Sequence, residues 1–345
     1  MVDALFQSLP WSIGVFAAAT LAILGLGTAL SSTADRLADR TGWGEAVVGS
    51  IFLAGATSLP DFAATLTAAA DGHAELAMST VLGSMAANLV FLVIGDIAYR
   101  RANLEHAAAS STNLTLASLS VALLTLPLIA MVGPDVGIAG IHPVTPVLLI
   151  AYGAGVRLVR HAHLRPMWRP RRTLETVEDR PAPDAGARHS LVGLWLRFAG
   201  LAALVAAAGW ALIRGAETIA EQTALSEGIV GALLAALATS SPEIVTTIAA
   251  VRRGALTLAV AGIVGTNCFN TTAIAAADVL YRGGSIYHAV GPQQLQWGLL
   301  AILMTAVLLL GFVRRQMRGP GNIGFESTLI LLLYGAAVAL MLVTG

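Results

Sequence analysis

Two short stretches of the chain place a carboxylate, a proline and two hydroxyls inside otherwise apolar sequence. The first reads Gly55-Ala56-Thr57-Ser58-Leu59-Pro60-Asp61 and the second Leu237-Ala238-Thr239-Ser240-Ser241-Pro242-Glu243. A charge at bilayer depth is costly enough that its default reading is functional. Downstream of each stretch comes a further polar pair four residues apart, Ser84 with Asn88 and Thr266 with Asn270. Pooled, the candidates are Thr57, Ser58, Asp61, Ser84, Asn88, Thr239, Ser240, Glu243, Thr266 and Asn270, all hard oxygen donors. Ca2+ takes about 6–8 oxygens in a flexible geometry, with carboxylates supplying the charge. Sodium accepts the same donors but needs less negative charge. Thiol and imidazole are missing from the set, which disfavours zinc and copper.

Local geometry supports convergence. Thr57 and Ser58 lie four and three residues before Asp61, on one face of a helix. Pro60 and Pro242 have no N–H to give the carbonyls of Ala56 and Ala238, so oxygens near Ala54–Ala56 and Ala236–Ala238 are expected to be free. Non-helical backbone at membrane depth survives only where protein covers it or a cavity is lined. Gly83 and Gly265 are expected to let helices approach closely.

The elements that must carry these groups are membrane spans. Of 345 residues 56% are hydrophobic and 12% charged, with mean hydropathy +0.76, against about 25% charged in soluble domains. The fold class expected is all-α integral membrane, with lipid as the surrounding partner. Net charge is zero, every Lys or Arg position is Arg, and no nucleic-acid partner, obvious protein partner or cofactor is indicated. No nucleotide-binding loop is evident, and residues 1–10 have no positive region of a secretory leader. The lone Cys268 excludes an internal disulfide.

A window of about 20 apolar residues gives ten expected spans. Five lie near 11–31, 45–70, 75–98, 112–132 and 142–160, and five near 193–216, 227–250, 255–280, 293–313 and 325–344. The domains expected are therefore 1–160, a Pro- and Arg-rich flexible linker over 161–192, and 193–345. With connections numbered alternately, one side collects Arg36, Arg40, Arg100, Arg101, the linker arginines, Arg252, Arg253, Arg314, Arg315 and Arg318, and the other only Arg214 and Arg282. Arg-rich short loops stay in the cytoplasm, so the linker is expected there and both termini outside, in the cell membrane. Five spans per half would invert the second half relative to the first.

Residues 45–96 superpose without a gap on 227–278. Glu45 falls on Glu227, Thr57 on Thr239, Pro60 on Pro242, Asp61 on Glu243, Asn88 on Asn270 and Asp96 on Asp278. Asp96 and Asp278 are expected to be solvated or to cap helix ends. Glu45 and Glu227 are expected to begin helices, where the macrodipole favours an acid. His73, His142 and His288 are expected in solvated loops, Cys268 as a packing residue, and Trp11, Trp195 and Trp297 in the interfacial belt.

The doubled motif, with Gly-Ser/Thr and Asn in the following helix, resembles the paired α-repeats of the sodium/calcium exchanger family within the cation/calcium antiporter superfamily. The resemblance implies exchange of Ca2+ for Na+ by alternating access, with the ten residues above as ion ligands. Ala56 and Ala238 replace the family's usual Gly, and Asp61 its usual Glu, as in the mitochondrial branch. Asn270 stands where the potassium-dependent branch has Asp, and Thr-Ser with Pro differs from the proton-coupled Gly-Asn-Ala-x-Glu. The linker has no room for calcium-sensing domains. The alternative is antiport of Ca2+ or another divalent cation against H+. An intramembrane aspartyl protease would need two aspartates sharing a proton, and here one acid is Glu. A purely structural scaffold has no use for ten inward polar groups. An ion antiporter, not an enzyme, is the expectation.

Overall fold

A computed structural model describes residues 9–138, 140–177, 190–222, 240–319 and 323–344. Among these, regular structure is helical throughout, and extended pairing is confined to an isolated bridge between Ile138 and Ile141. The helices are α1 (Leu9–Thr41), α2 (Glu45–Val47), α3 (Ala54–Thr57), α4 (Leu59–Ala70), α5 (Ala74–Ala98), α6 (Leu104–Ala107) and α7 (Ser111–Val132). They continue as α8 (Val144–Leu164), α9 (Leu191–Gln222), α10 (Ser241–Arg253), α11 (Leu256–Leu280), α12 (Pro292–Arg314) and α13 (Phe325–Thr344). A π-helical turn, Val48–Leu53, joins α2 to α3.

Six described helices are long and apolar enough to cross a membrane, and a seventh span arises if the bent pair Glu45–Thr57 and Leu59–Ala70 counts as one. Two more expected spans correspond to α8 and α13, which fall short of that standard. The end of α8 is polar, with Arg157, Arg160, His161 and His163, and the apolar part of α13 is short (Phe325–Met341). Of the expected span 227–250, residues up to Thr239 lie outside the described residues.

The two helices after the motif stretches form the centre. In α5 and α11, 72% and 83% of the apolar window is buried, against 22% in α1 and in Leu191–Leu212 of α9. α1 packs along α9, with Leu21 and Leu196 turned outward, as suits helices with lipid on one side. Polar side chains buried in α5 and α11 face protein.

Asp96 and Asp278 occupy matching places at the ends of these central helices, and both are buried. Asp96 accepts hydrogen bonds from Leu104 N (2.6 Å), Ser327 Oγ (2.7 Å) and Gly324 N (3.3 Å). Asp278 accepts from Ile286 N (3.0 Å), Thr145 Oγ1 (2.6 Å) and His142 N (2.8 Å). Each therefore satisfies an N–H at the start of the next short helix and ties in a helix from the opposite half. They cap, and they are not solvated. Glu45 likewise stands in the first turn of α2 while its Oε2 accepts from Leu258 N in the first turn of α11, at 2.9 Å; Glu227 lies outside the described residues.

Two further expectations need correction. His142 is buried, not solvated: its ring packs on Tyr287 and on the partly exposed His288. Trp195, near the start of α9, joins a ring cluster with Trp43, Phe52 and Phe198. The start of the linker is pinned, not flexible, because Val177 N donates to Ala107 O (3.0 Å), Thr173 meets His106 Nε2 (2.8 Å), and Arg315 donates to Thr176 Oγ1 (2.9 Å).

Candidate cation site

The first motif breaks its span at Ser58, whose φ of −81° and ψ of −2° leave the helix, and the flanking segments bend by 52°. Pro60 then sits in the first turn of α4, where its missing N–H costs nothing. The second motif begins its helix in the same way, with Ser240 at φ −94° and ψ 6° and Pro242 in the first turn of α10. Asp61 and Glu243 both come to rest in the first turn of a half-helix, at its positive end. The Ala54 carbonyl, expected to be free, is taken by Ser58 N (3.0 Å) and by Thr57 Oγ1 (3.2 Å). The local reason is that Ser58 N–H still completes the last turn of α3 before the chain bends.

Nine of the ten candidate residues are described, and all nine are at most 2% exposed; Thr239 lies outside the described residues. Asp61 and Glu243, from the two copies, lie close enough to act on each other electrostatically. The hydroxyls of Thr57 and Ser58 lie alongside the Glu243 carboxylate, yet neither Glu243 oxygen closes a well-formed hydrogen bond. Ser84 Oγ donates to Asp61 Oδ2, and Asn270 Nδ2 donates to Ser84 Oγ at 3.5 Å. Residues of α3, α4, α5, α10 and α11 thus converge on one buried cluster. Ser240 and Thr266 are buried, but no described contact ties either to the acids.

Sequence reasoning missed Asn267, a residue bonded to one of the candidates. Its Oδ1 accepts from Asn88 Nδ2 (3.0 Å) and its Nδ2 donates to Met85 O (2.9 Å). Met85 is its counterpart in the first repeat, so a search for residues shared by both copies passes over it. Asn267 takes one amide hydrogen of Asn88, while Asn88 Oδ1 is without a hydrogen-bond partner, as Asn270 Oδ1 is. The π turn was equally invisible. Its Ser50 lies so close to Gly265 that a Cβ there would collide with Ser50 Cα, whereas Gly83 has nothing within 4 Å among the described residues. Close approach is thus seen at Gly265 and not at Gly83.

Buried polar atoms are nearly always hydrogen-bonded, and exceptions call for an explanation. Here the oxygens of Ser58, Asn88, Ser240, Glu243, Thr266 and Asn270 are all unsatisfied. None of the groups acting on Glu243 is cationic. A buried carboxylate that faces a second acid and no cation, as Glu243 does, is penalised, and a cation among these oxygens would offset that penalty.

The match of the chain to known proteins agrees with this chemistry. The family described as sodium/calcium exchanger protein matches residues 11–154 and 192–343. Inner membrane protein YrbG of Escherichia coli (strain K12) is 30% identical over 241 residues, 70% of each chain. CaxA of Alkalimonas amylolytica, whose name describes it as an antiporter, is 32% identical over 124 residues; the match spans 35% of this chain and only 39% of CaxA. The fold is similar to that of the sodium-calcium exchanger NCX_Mj soaked with 2.5 mM Na+ and 0.1 mM Sr2+, at a TM-score of 0.70 and 19% identity over 96% of this chain and 99% of that one.

Proposed function

The chain belongs to the sodium/calcium exchanger family, and on that premise we propose that it is a secondary-active antiporter moving Ca2+ against Na+ by alternating access. The observation that carries the proposal is the meeting of Asp61 and Glu243, one from each copy of the motif, in a single buried cluster with no cationic side chain acting on Glu243. Ca2+ as substrate is held by these two carboxylates together with oxygens of Ser58, Asn88, Ser240, Thr266 and Asn270, and of Thr57, Ser84 and Thr239. Two negative charges balance one Ca2+, and sodium ions replace it in turn. When no cation is bound, two facing carboxylates make the site costly to carry through an occluded state, which couples the two ion flows.

The same proposal places ten spans as two inverted halves around this site, with the matched bonds of Asp96 and Asp278 in support. The Arg-rich connections lie in the cytoplasm, together with the linker, and both termini lie outside.

Calcium flux into proteoliposomes tests the coupling. Uptake is expected to follow an outward sodium gradient and to ignore an imposed pH gradient. Uptake that follows the pH gradient alone replaces sodium with protons as the counter-ion.

A further inference from the structure

A second group of buried acids lies away from the cation site, at the end of the molecule where α5 and α12 finish and α13 begins. Asp96, Glu105 and Glu326 are each at most 2% exposed there. Asp96 is satisfied by its three donors. Glu105, in α6, and Glu326, in the first turn of α13, are in a different position. Their carboxyls are in hydrogen-bonding contact with each other. Neither oxygen of Glu326, nor Oε2 of Glu105, receives a hydrogen from any described donor.

The space is shaped for these side chains. A Cβ at Gly311 would lie 2.7 Å from Glu326 Cγ, and one at Gly324 would collide with the Glu326 carboxyl. Two buried carboxylates in contact repel one another strongly. A carboxylic acid facing a carboxylate instead makes a short, strong hydrogen bond.

We propose that Glu105 and Glu326 form a proton-binding site distinct from the cation site, with one proton held on Glu105 and donated to Glu326. Arg314 weighs toward this direction, since its charge acts on Glu326 and not on Glu105. Burial first, then the charges of Asp96 and Glu326, raises the Glu105 carboxyl well above its ordinary range. The other charged groups of this region face elsewhere. His106 binds Arg315 O and Thr173 through its ring nitrogens, and Arg315 donates to His106 O and Thr176. Two carboxyls in contact can share one proton between them without any further donor, so a proton is the ligand proposed. The bound proton ties α6 to α13 beside the Asp96 cap and beneath the pinned start of the linker. Its loss in alkali leaves three buried anions together and loosens that end.

Because Glu105 holds its proton more tightly folded than unfolded, the stabilisation is complete in acid and is lost as pH rises through the folded-state pKa. The test is infrared difference spectroscopy and thermal melting of the full chain in detergent, with Asp61→Asn and Glu243→Gln as background so that the cation-site acids are silent. A carboxylic-acid carbonyl band is expected to persist at neutral pH and vanish in alkali, with the melting temperature falling over the same range. Glu105→Gln should lose the band and flatten the melting profile while keeping the amide-to-carboxylate hydrogen bond; Glu326→Gln gives an independent loss of the shared proton. Absence of the band at neutral pH in the parent, or a band and slope unchanged by either variant, overturns the proposal. So does a band abolished by added Ca2+, which would make the cluster a metal site. None of these readouts requires transport, so failure of the exchange assignment leaves them standing.

Discussion

The two copies of the motif agree at their edges and differ at their centre. At the edge, Asp96 and Asp278 perform the same task, each holding the next short helix and a helix of the other half through three donors. At the centre, Asp faces Glu, Ser84 corresponds to Thr266, and Met85 corresponds to Asn267. The shared part is architecture, which any copy of the fold must satisfy. The unshared part surrounds the proposed cation, where a strictly symmetric cage is not required and each half supplies its own length and number of oxygen arms.

Removing both acids should separate these regions most sharply. Asp61→Asn combined with Glu243→Gln is expected to abolish calcium flux in proteoliposomes. Thermal stability should be kept or raised, because the change relieves the repulsion between two buried acids that act on each other. Loss of flux together with loss of folding would place the acids in the architecture instead.

Asn267 comes next. If it holds the Asn88 amide so that its carbonyl faces the cation, Asn267→Leu should weaken calcium binding roughly tenfold, about 1.4 kcal/mol. Met85→Leu should change little, since Met85 contributes only its backbone carbonyl. A double-mutant cycle with Asn88→Ala reads the coupling directly: independent effects would show that Asn267 does not act through Asn88.

At the edges, Asp96→Asn and Asp278→Asn should each destabilise by about 1–3 kcal/mol in denaturation, with similar size, because each variant leaves buried donors poorly paired. Calcium affinity should hardly move. The smallest contrast lies in the glycines. Gly265→Ala should cost about 1–3 kcal/mol through its collision with Ser50, and Gly83→Ala within about 0.5 kcal/mol.

Much of this was legible in the sequence because apolar length and repeated polar residues are direct signals of span and site. The break before Pro60 follows from proline chemistry, and the capping by Asp96 and Asp278 was one of the two roles that their matched places near helix ends allowed. The helix-start position of Asp61 was not read, because Thr57, Ser58 and Asp61 looked like one face of a continuous helix. What escaped did so for physical reasons. Asn267 has no counterpart in the first copy, so repetition hides it. The π turn at Val48–Leu53 has no residue signature. The acids Glu105 and Glu326 are far apart in sequence, one in a polar connection and the other at the very start of an expected span; only folding brings them into contact. His142 looks like a loop residue until its backbone N–H is needed by Asp278.

The most direct test of the shared cation pocket is calorimetric titration of Ca2+ into the purified chain and into the single variants Asp61→Asn and Glu243→Gln. Sodium-competed binding of one Ca2+ per chain, lost in both variants alike, is the predicted result. Wild-type affinity retained in either variant would contradict a pocket built jointly by the two halves.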